Sequence, residues 1–299
     1  MEYLRKVWYC IDLTKPIVTA SVYYTWLLTY MIASRTLSFN LEKFLISSLV
    51  VILGISLGNA LNNYFDRDID SIMRRTCRRR VLARGLISLK LARIVIMIIS
   101  ALSISLVIYA SIIYGVLNII LYAIALATYV LLYTIILKRR AWWSILIAAI
   151  AYSAVILHAW YAATGELSVI AYVISILGYV WVLSHLWAIA LHFAEDYALA
   201  NVPVLSVRFW NKPNIPTIAL TTSTLCTGLL ALTPALLNYI TPLYIPAILI
   251  IVFSEIALLV KIFKCDWRYR RDLTYKIWKM TYPVLALTFT VMFIFMLIH

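Results

Sequence analysis

Charge is scarce in this chain. Only 13% of its 299 residues are Asp, Glu, Lys or Arg, against about 25% in ordinary soluble domains. Acids are scarcer still, 12 against 26 Lys and Arg, which leaves a net charge of +14. Seven glycines and eight prolines exclude a collagen-like or Gly-rich repeat chain. Cys10, Cys77, Cys226 and Cys265 lie far apart with no CxxC or zinc spacing, which excludes a disulfide scaffold and reads as free thiols. What fills the chain is apolar: 65% hydrophobic residues and a mean hydropathy of +0.96. A soluble globule of this size could not bury that much apolar side chain, whereas a bilayer solvates it. No cleavable leader is expected, because MEYLRKVWYCIDLTKP is followed by an apolar segment long enough to span. The basic excess reads as the Lys/Arg bias of membrane-protein loops, so no nucleic-acid partner is expected.

Nine stretches reach the roughly 20 residues a helical span needs: 17–36, 41–64, 89–110, 112–137, 142–163, 167–193, 215–236, 240–263 and 276–298. The third and fourth nearly merge, and Ser111 to Gly115 is the expected turn. The expectation is an all-α polytopic membrane protein, one domain over residues 1–299. With the N-terminus cytoplasmic, segments 1–16, 65–93, 138–141, 194–214 and 261–279 face the cytoplasm. Of all 26 Lys and Arg, only Arg35 and Lys43 fall elsewhere. The positive-inside rule therefore places the protein in the cell membrane with a cytoplasmic N-terminus and an outside C-terminus.

The few acids cluster. Asp66, Asp68 and Asp70 sit at one end of the second span, Glu195 and Asp196 at the same-side end of the sixth. On a continuous helix Asn62, Asp66 and Asp70 share a face at i, i+4 and i+8, and Asp68 points elsewhere. Like charges at this spacing repel. Oxygens spaced about 6 Å along the axis suit Mg²⁺, a hard ion that often bridges to phosphates. The basic run Arg74, Arg75, Arg78, Arg79, Arg80, Arg84 would clamp a diphosphate. The bland alternative is a charged helix end followed by a basic loop. Glu195 and Asp196 are adjacent and cannot share a face unless the helix breaks before Pro203.

Taken together, these residues resemble the UbiA-type intramembrane prenyltransferases, most closely the protoheme IX farnesyltransferase (haem O synthase) branch. Asn62, Asp66-Arg67-Asp68-Ile69-Asp70, Met73, Arg75-Thr76 and Gly85-Leu86-Ile87-Ser88 are similar to the first diphosphate motif of that branch. Leu13-Thr14-Lys15-Pro16, Tyr133-Thr134, Leu137-Lys138-Arg139-Arg140, Ala162, Thr164-Gly165, Ser184 to Ala190, Glu195-Asp196-Tyr197 and Val202 to Leu205 continue the likeness in order. There are departures: Ala148-Ala149 and Val155-Ile156 replace a Gly-Gly and a Pro-Pro pair, Asn201 a glycine, Ala194 a basic residue, and Arg80-Val81 an Arg-Pro.

The resemblance implies a UbiA-type bundle that transfers a prenyl group, farnesyl first, from its diphosphate to haem b or another lipophilic acceptor. It implies Mg²⁺ held by Asn62, Asp66, Asp70, Glu195 and Asp196, with Asp66, Asp70 and Asp196 central to catalysis. Arg67, Arg75, Arg78, Lys138, Arg139, His185 and Tyr197 are the implied substrate contacts. His185 falls on the branch's histidine element, where imidazole would ligate haem iron or bond a neighbouring helix. His192 reads as packing, His158 as interfacial, and Glu255 as an isolated intramembrane acid. Rival readings are prenyl transfer to a quinone precursor or a glycerol-phosphate lipid, and a non-catalytic paralogue in haem handling. A transporter lacks support, since no inverted pair of Gly/Pro-broken spans is present.

Overall fold

A computed structural model describes residues 2–36, 40–264 and 267–298; Cys265 lies outside them. Among the described residues the chain is helical, with nine helices long and apolar enough to cross a membrane. The elements are α1 (Glu2–Asp12), α2 (Pro16–Ser34), α3 (Leu41–Phe65), α4 (Arg67–Ile72), α5 (Leu89–Tyr114) and α6 (Leu117–Leu126). There follow a π-helical continuation of α6 (Ala127–Leu137), α7 (Ser144–Thr164), α8 (Val169–His192), α9 (Ala194–Leu199) and α10 (Leu205–Arg208). The last three are α11 (Asn214–Leu236), α12 (Tyr244–Lys264) and α13 (Trp267–Leu297).

Local chemistry sets the boundaries. Asn40, Ser88 and Ser168 cap α3, α5 and α8, each side chain accepting the backbone N–H three residues on. Pro16 opens α2 at a position whose N–H has no helical partner anyway. The tight turn between the third and fourth spans falls at Gly115, at the late end of the expected window, because only there does a residue take φ 105° without a Cβ to clash. The eighth span starts at Tyr244, four residues later than the hydropathy suggested, and the ninth helix begins earlier, at Trp267.

The spans close into a ring. Contacts run α2–α3–α5–α6–α7–α8–α11–α12–α13 and return from α13 to α2, while α2 also packs on α7 and α8 on α13. The largest apolar cluster joins α2, α7, α8, α11, α12 and α13 through Ile32, Ile156, Ile174, Leu177, Trp181, Ala231, Tyr244 and Phe289. Tyr152 and Trp181 of this cluster also face the interior space beside it. The half between α2, α3, the π segment and α7 is open inside, and there the polar residues collect.

Candidate functional site

A cavity of about 320 Å³ runs inside the bundle, lined by α2, α3, the fourth span, α7, α8 and Tyr282 of α13. Its polar end lies where the basic loops meet the spans: Lys15, Asn62, Asp66, Asp70, Arg75, Arg80, Lys138 and Tyr197 line it. Beyond them the walls turn apolar, with Val50, Val51, Gly54, Gly58, Leu121, Tyr122, Leu126 and Ala154. Gly58 and Gly54 are one helical turn apart on α3, and a Cβ on either would press against Tyr129 or Tyr122.

α3 ends at Phe65, and Asp66 departs from helical geometry at φ −90°, ψ 4° before α4 resumes. The i→i−4 bonds nonetheless continue, Asp66 N to Asn62 O at 2.9 Å and Asp70 N to Asp66 O at 2.8 Å. Asn62, Asp66 and Asp70 therefore stay on the cavity side, all buried. Asp68 turns outward and pairs with Arg139 through both oxygens, at 2.6 and 2.7 Å. That hydrogen bond draws its carboxyl down to about 2.

Two lysines reach into the acidic end. Lys138 Nζ lies 2.5 Å from Asp66 Oδ2, and Lys15 Nζ donates to Asn62 Oδ1 at 2.5 Å. Burial opposes the Lys138 charge, yet Asp66, Tyr133 and Tyr197 hold its ammonium above the ordinary range. Burial and Arg80 push Lys15 down to about 7, against the pull of Asp70 and Asp66. Lys15 also adopts φ 52°, ψ 64°, a costly left-handed conformation for a side-chain-bearing residue. Asn62 Nδ2 bridges Asp66 Oδ2 and Thr134 Oγ1 at 2.7 and 3.0 Å. The π segment brings Tyr129, Tyr133, Thr134 and Lys138 to one side, with Lys138 N bonded five residues back to Tyr133 O at 2.8 Å.

The second acidic pair is split. α8 ends at His192 and a break at Phe193 starts α9, which turns Asp196 inward and leaves Glu195 out. Asp196 Oδ2 accepts the backbone N–H of Arg75 at 2.8 Å, tying the two clusters together. Glu195 instead pairs with Arg271 at 2.5 Å on an exposed surface. Arg75 reaches Tyr197 and lies over Phe193, and its Nε is buried without a partner. Arg67 donates to its own Tyr64 carbonyl, Arg139 is taken by Asp68, and Arg78 is exposed; none of the three lines the cavity. Lys15 and Arg80 do line it. Lys15 carried one signal in the sequence, the Leu-Thr-Lys-Pro element itself.

Both cavity histidines are hydrogen-bonded through Nδ1. Thr281 Oγ1 lies 2.7 Å from both Trp278 O and His185 Nδ1; where its one hydroxyl proton goes to Trp278 O, it accepts from His185 Nδ1. In the neutral ring this leaves His185 Nε2 with its lone pair. His158 is buried rather than interfacial, because Trp26 of α2 donates to its Nδ1 at 3.0 Å. His192 packs between Phe193 and Tyr275, away from the cavity.

A helical membrane bundle with paired acids and cations at one end of an internal cavity narrows the comparison. The UbiA prenyltransferase family model matches residues 22–280. The chain belongs to that family. It is 32% identical over 280 residues to the protoheme IX farnesyltransferase of Thermus thermophilus, covering 94% of this chain but 44% of that protein. The chain thus spans under half the length of that relative. It is 35% identical over 231 residues to protoheme IX farnesyltransferase 1 of Cenarchaeum symbiosum, covering 77% and 75%. Among solved structures, a digeranylgeranylglyceryl phosphate synthase superposes with a TM-score of 0.75 at 17% identity over 98% of this chain and 99% of that one. A UbiA homolog from Archaeoglobus fulgidus bound to GPP and Mg²⁺ gives 0.63 at 17%, also over 98% and 99%. At such identities these likenesses establish the UbiA fold.

The donor set suits a hard cation. Asp66 Oδ1 is buried with no hydrogen-bond partner, and Asp70 offers a second carboxylate to the same cavity. Among the described residues no three His, Cys, Asp or Glu side chains gather closely enough to hold an ion alone. A cation here would need oxygens from water or from a bound phosphate. Glu195, paired outside, does not belong to that donor set.

Proposed function

We propose that this UbiA-family chain is a Mg²⁺-dependent intramembrane prenyltransferase that moves a farnesyl group from its diphosphate to haem b, with its N-terminus in the cytoplasm. One observation carries the reading. Two buried polar atoms of opposite character, Asp66 Oδ1 and Arg75 Nε, lack partners on residues that line the same cavity. A metal diphosphate supplies both missing partners, and the apolar continuation past Gly58 and Gly54 accepts the prenyl tail.

Asp66, Asp70 and Asn62 would hold Mg²⁺, whose part is to neutralise charge on the departing diphosphate. Arg75, Arg80, Lys15 and Lys138 bind its oxygens and stabilise the charge that develops as the allylic C–O bond breaks. Asp196 positions Arg75 by holding the loop backbone. The prenyl carbon then bonds to a vinyl carbon of the porphyrin. Water adds its oxygen to the neighbouring carbon, and the released proton goes to pyrophosphate. The membrane-buried chamber keeps bulk water from the cation before transfer, and Tyr129 and Tyr133, stacked at 6.0 Å, offer it ring faces. His185, whose Nε2 lone pair is free, would ligate the haem iron.

A second acceptor class keeps its place because Ala148, Ala154 and Val155, in the region that departs from the haem branch, line the cavity. The test is pyrophosphate release from farnesyl diphosphate by purified protein with and without haem b. Haem-dependent release with haem O formed is the expected result. Release only with a quinone precursor or glycerol-phosphate lipid would reassign the acceptor, and no release with any acceptor would point to a non-catalytic paralogue.

A further inference from the structure

Two of the oxygens that would hold a divalent cation are already taken by this protein's own basic side chains. Lys138 Nζ sits on Asp66 Oδ2 and Lys15 Nζ on Asn62 Oδ1, both at 2.5 Å. Asp66 Oδ1 is buried without a partner, and the Asp70 carboxylate faces the same cavity. Four cations, Lys15, Arg75, Arg80 and Lys138, line this end of the cavity against two carboxylates, Asp66 and Asp70. A bare divalent ion entering here meets a surplus of like charge in a poorly screened site, where Coulomb energies are several-fold larger than in water. A diphosphate meets the opposite, and its oxygens are better partners for ammonium groups than a neutral amide oxygen is.

We propose that Lys15 and Lys138 are internal stand-ins for the metal, so that cation and diphosphate enter as a pair and neither binds tightly alone. Diphosphate oxygens draw the two ammonium groups off, which frees Asn62 Oδ1 and Asp66 Oδ2 for the ion. The same two side chains then clamp the diphosphate. This rests on the diphosphate reading of the site. It goes beyond that reading by giving the lysines opposite effects on the two ligands. By linkage, whatever diphosphate does to metal affinity, metal does equally to diphosphate affinity.

The probes are Mn²⁺, followed by the loss of its free-ion EPR signal, and inorganic pyrophosphate, followed by calorimetry, on the full chain in detergent. In the wild type, pyrophosphate should tighten Mn²⁺ binding by about tenfold or more, and Mn²⁺ should tighten pyrophosphate binding equally. Lys15→Met should tighten Mn²⁺ alone by about threefold or more, weaken pyrophosphate, and shrink the coupling. Lys15 is the primary variant because its partner Asn62 is neutral, so its removal leaves no buried charge unpaired. Lys138→Met should act in the same direction wherever circular dichroism shows it folded. Arg80→Met removes at least as much charge, which sits on no metal-ligating oxygen, and should tighten Mn²⁺ less than Lys15→Met does. Equal effects of Arg80→Met and Lys15→Met, or unchanged or weaker Mn²⁺ binding in Lys15→Met, would overturn the stand-in role while leaving the diphosphate site intact. A wild type that binds no pyrophosphate even with Mn²⁺ would overturn both.

Discussion

Asp66, Asp68 and Asp70 differ by two positions and meet three different surroundings. Asp66 is buried against Lys138, Asp70 is buried facing the cavity, and Asp68 is spent on Arg139 at the surface. Replacing Asp66 or Asp70 by Ala should lower prenyl transfer at least about a hundredfold, since each removes a carboxylate that would hold the metal neutralising the departing diphosphate. Asp68→Ala should cost far less, because exposed ion pairs contribute little. The Asp68 carboxyl is held near 2, so whatever the pair adds is present above its ordinary range and lost only as pH falls toward 2. Activity near neutrality should not track it. Asn201 is another single-residue case: it takes φ 53°, where glycine was expected. Asn201→Gly should be neutral or slightly stabilising, while Asn201→Val should cost roughly 1–2 kcal/mol in unfolding measurements. For His185, wild type should bind haem b with a shifted Soret band. His185→Ala should remove the shift and leave farnesyl-diphosphate binding intact, and an unchanged spectrum would sink the ligand role.

The elements were legible to different degrees. The spans could be read because a bilayer demands about 20 apolar residues in a row, a constraint strong enough to survive without alignment. The shared face of Asn62, Asp66 and Asp70 was legible too, since helical spacing persists across the break at Asp66. The π segment was not. Nothing in ATYVLLYTIIL distinguishes a five-residue hydrogen-bond step from a four-residue one, yet that step brings Lys138 to Asp66. Glu195 and Asp196 could not be sorted from sequence, because which of two neighbours faces inward depends on where α8 breaks. Lys15 stood out only through the Leu-Thr-Lys-Pro element, because the partners that surround it come from α3 and Lys138, far away in sequence. His158 read as interfacial because the Trp26 indole that satisfies it sits on another helix. At this scale Gly54 carries a prediction. A Cβ there would come 2.8 Å from the Tyr122 ring, so Gly54→Leu should obstruct the apolar half of the cavity. Steady-state kinetics should show kcat/KM for farnesyl diphosphate falling by about tenfold or more, with dimethylallyl diphosphate much less affected.

For the whole molecule the asymmetry of charge and the position of the cavity are one fact. The loops at one end carry the basic residues, and the polar mouth of the cavity, with Lys15, Arg75, Arg80 and Lys138, opens at that same end. A diphosphate made in the cytoplasm could reach the acids only if that end is cytoplasmic, which is also what the positive-inside rule requires. Orientation therefore tests function as well as topology. In a background with Cys10, Cys77, Cys226 and Cys265 replaced by Ser, single cysteines at Asn40 and Gly165 should react with an impermeant maleimide added outside intact cells. Asn40 and Gly165 lie on the turns at the other end of the bundle, before α3 and after α7. Cysteines at Arg79 and Asn211 should react only after the membrane is opened, since both sit in loops at the basic end. The reverse pattern would put the cavity mouth outside. The proposed reaction would then lose its route to a cytoplasmic diphosphate, and the acidic clusters would need a ligand supplied from the other side.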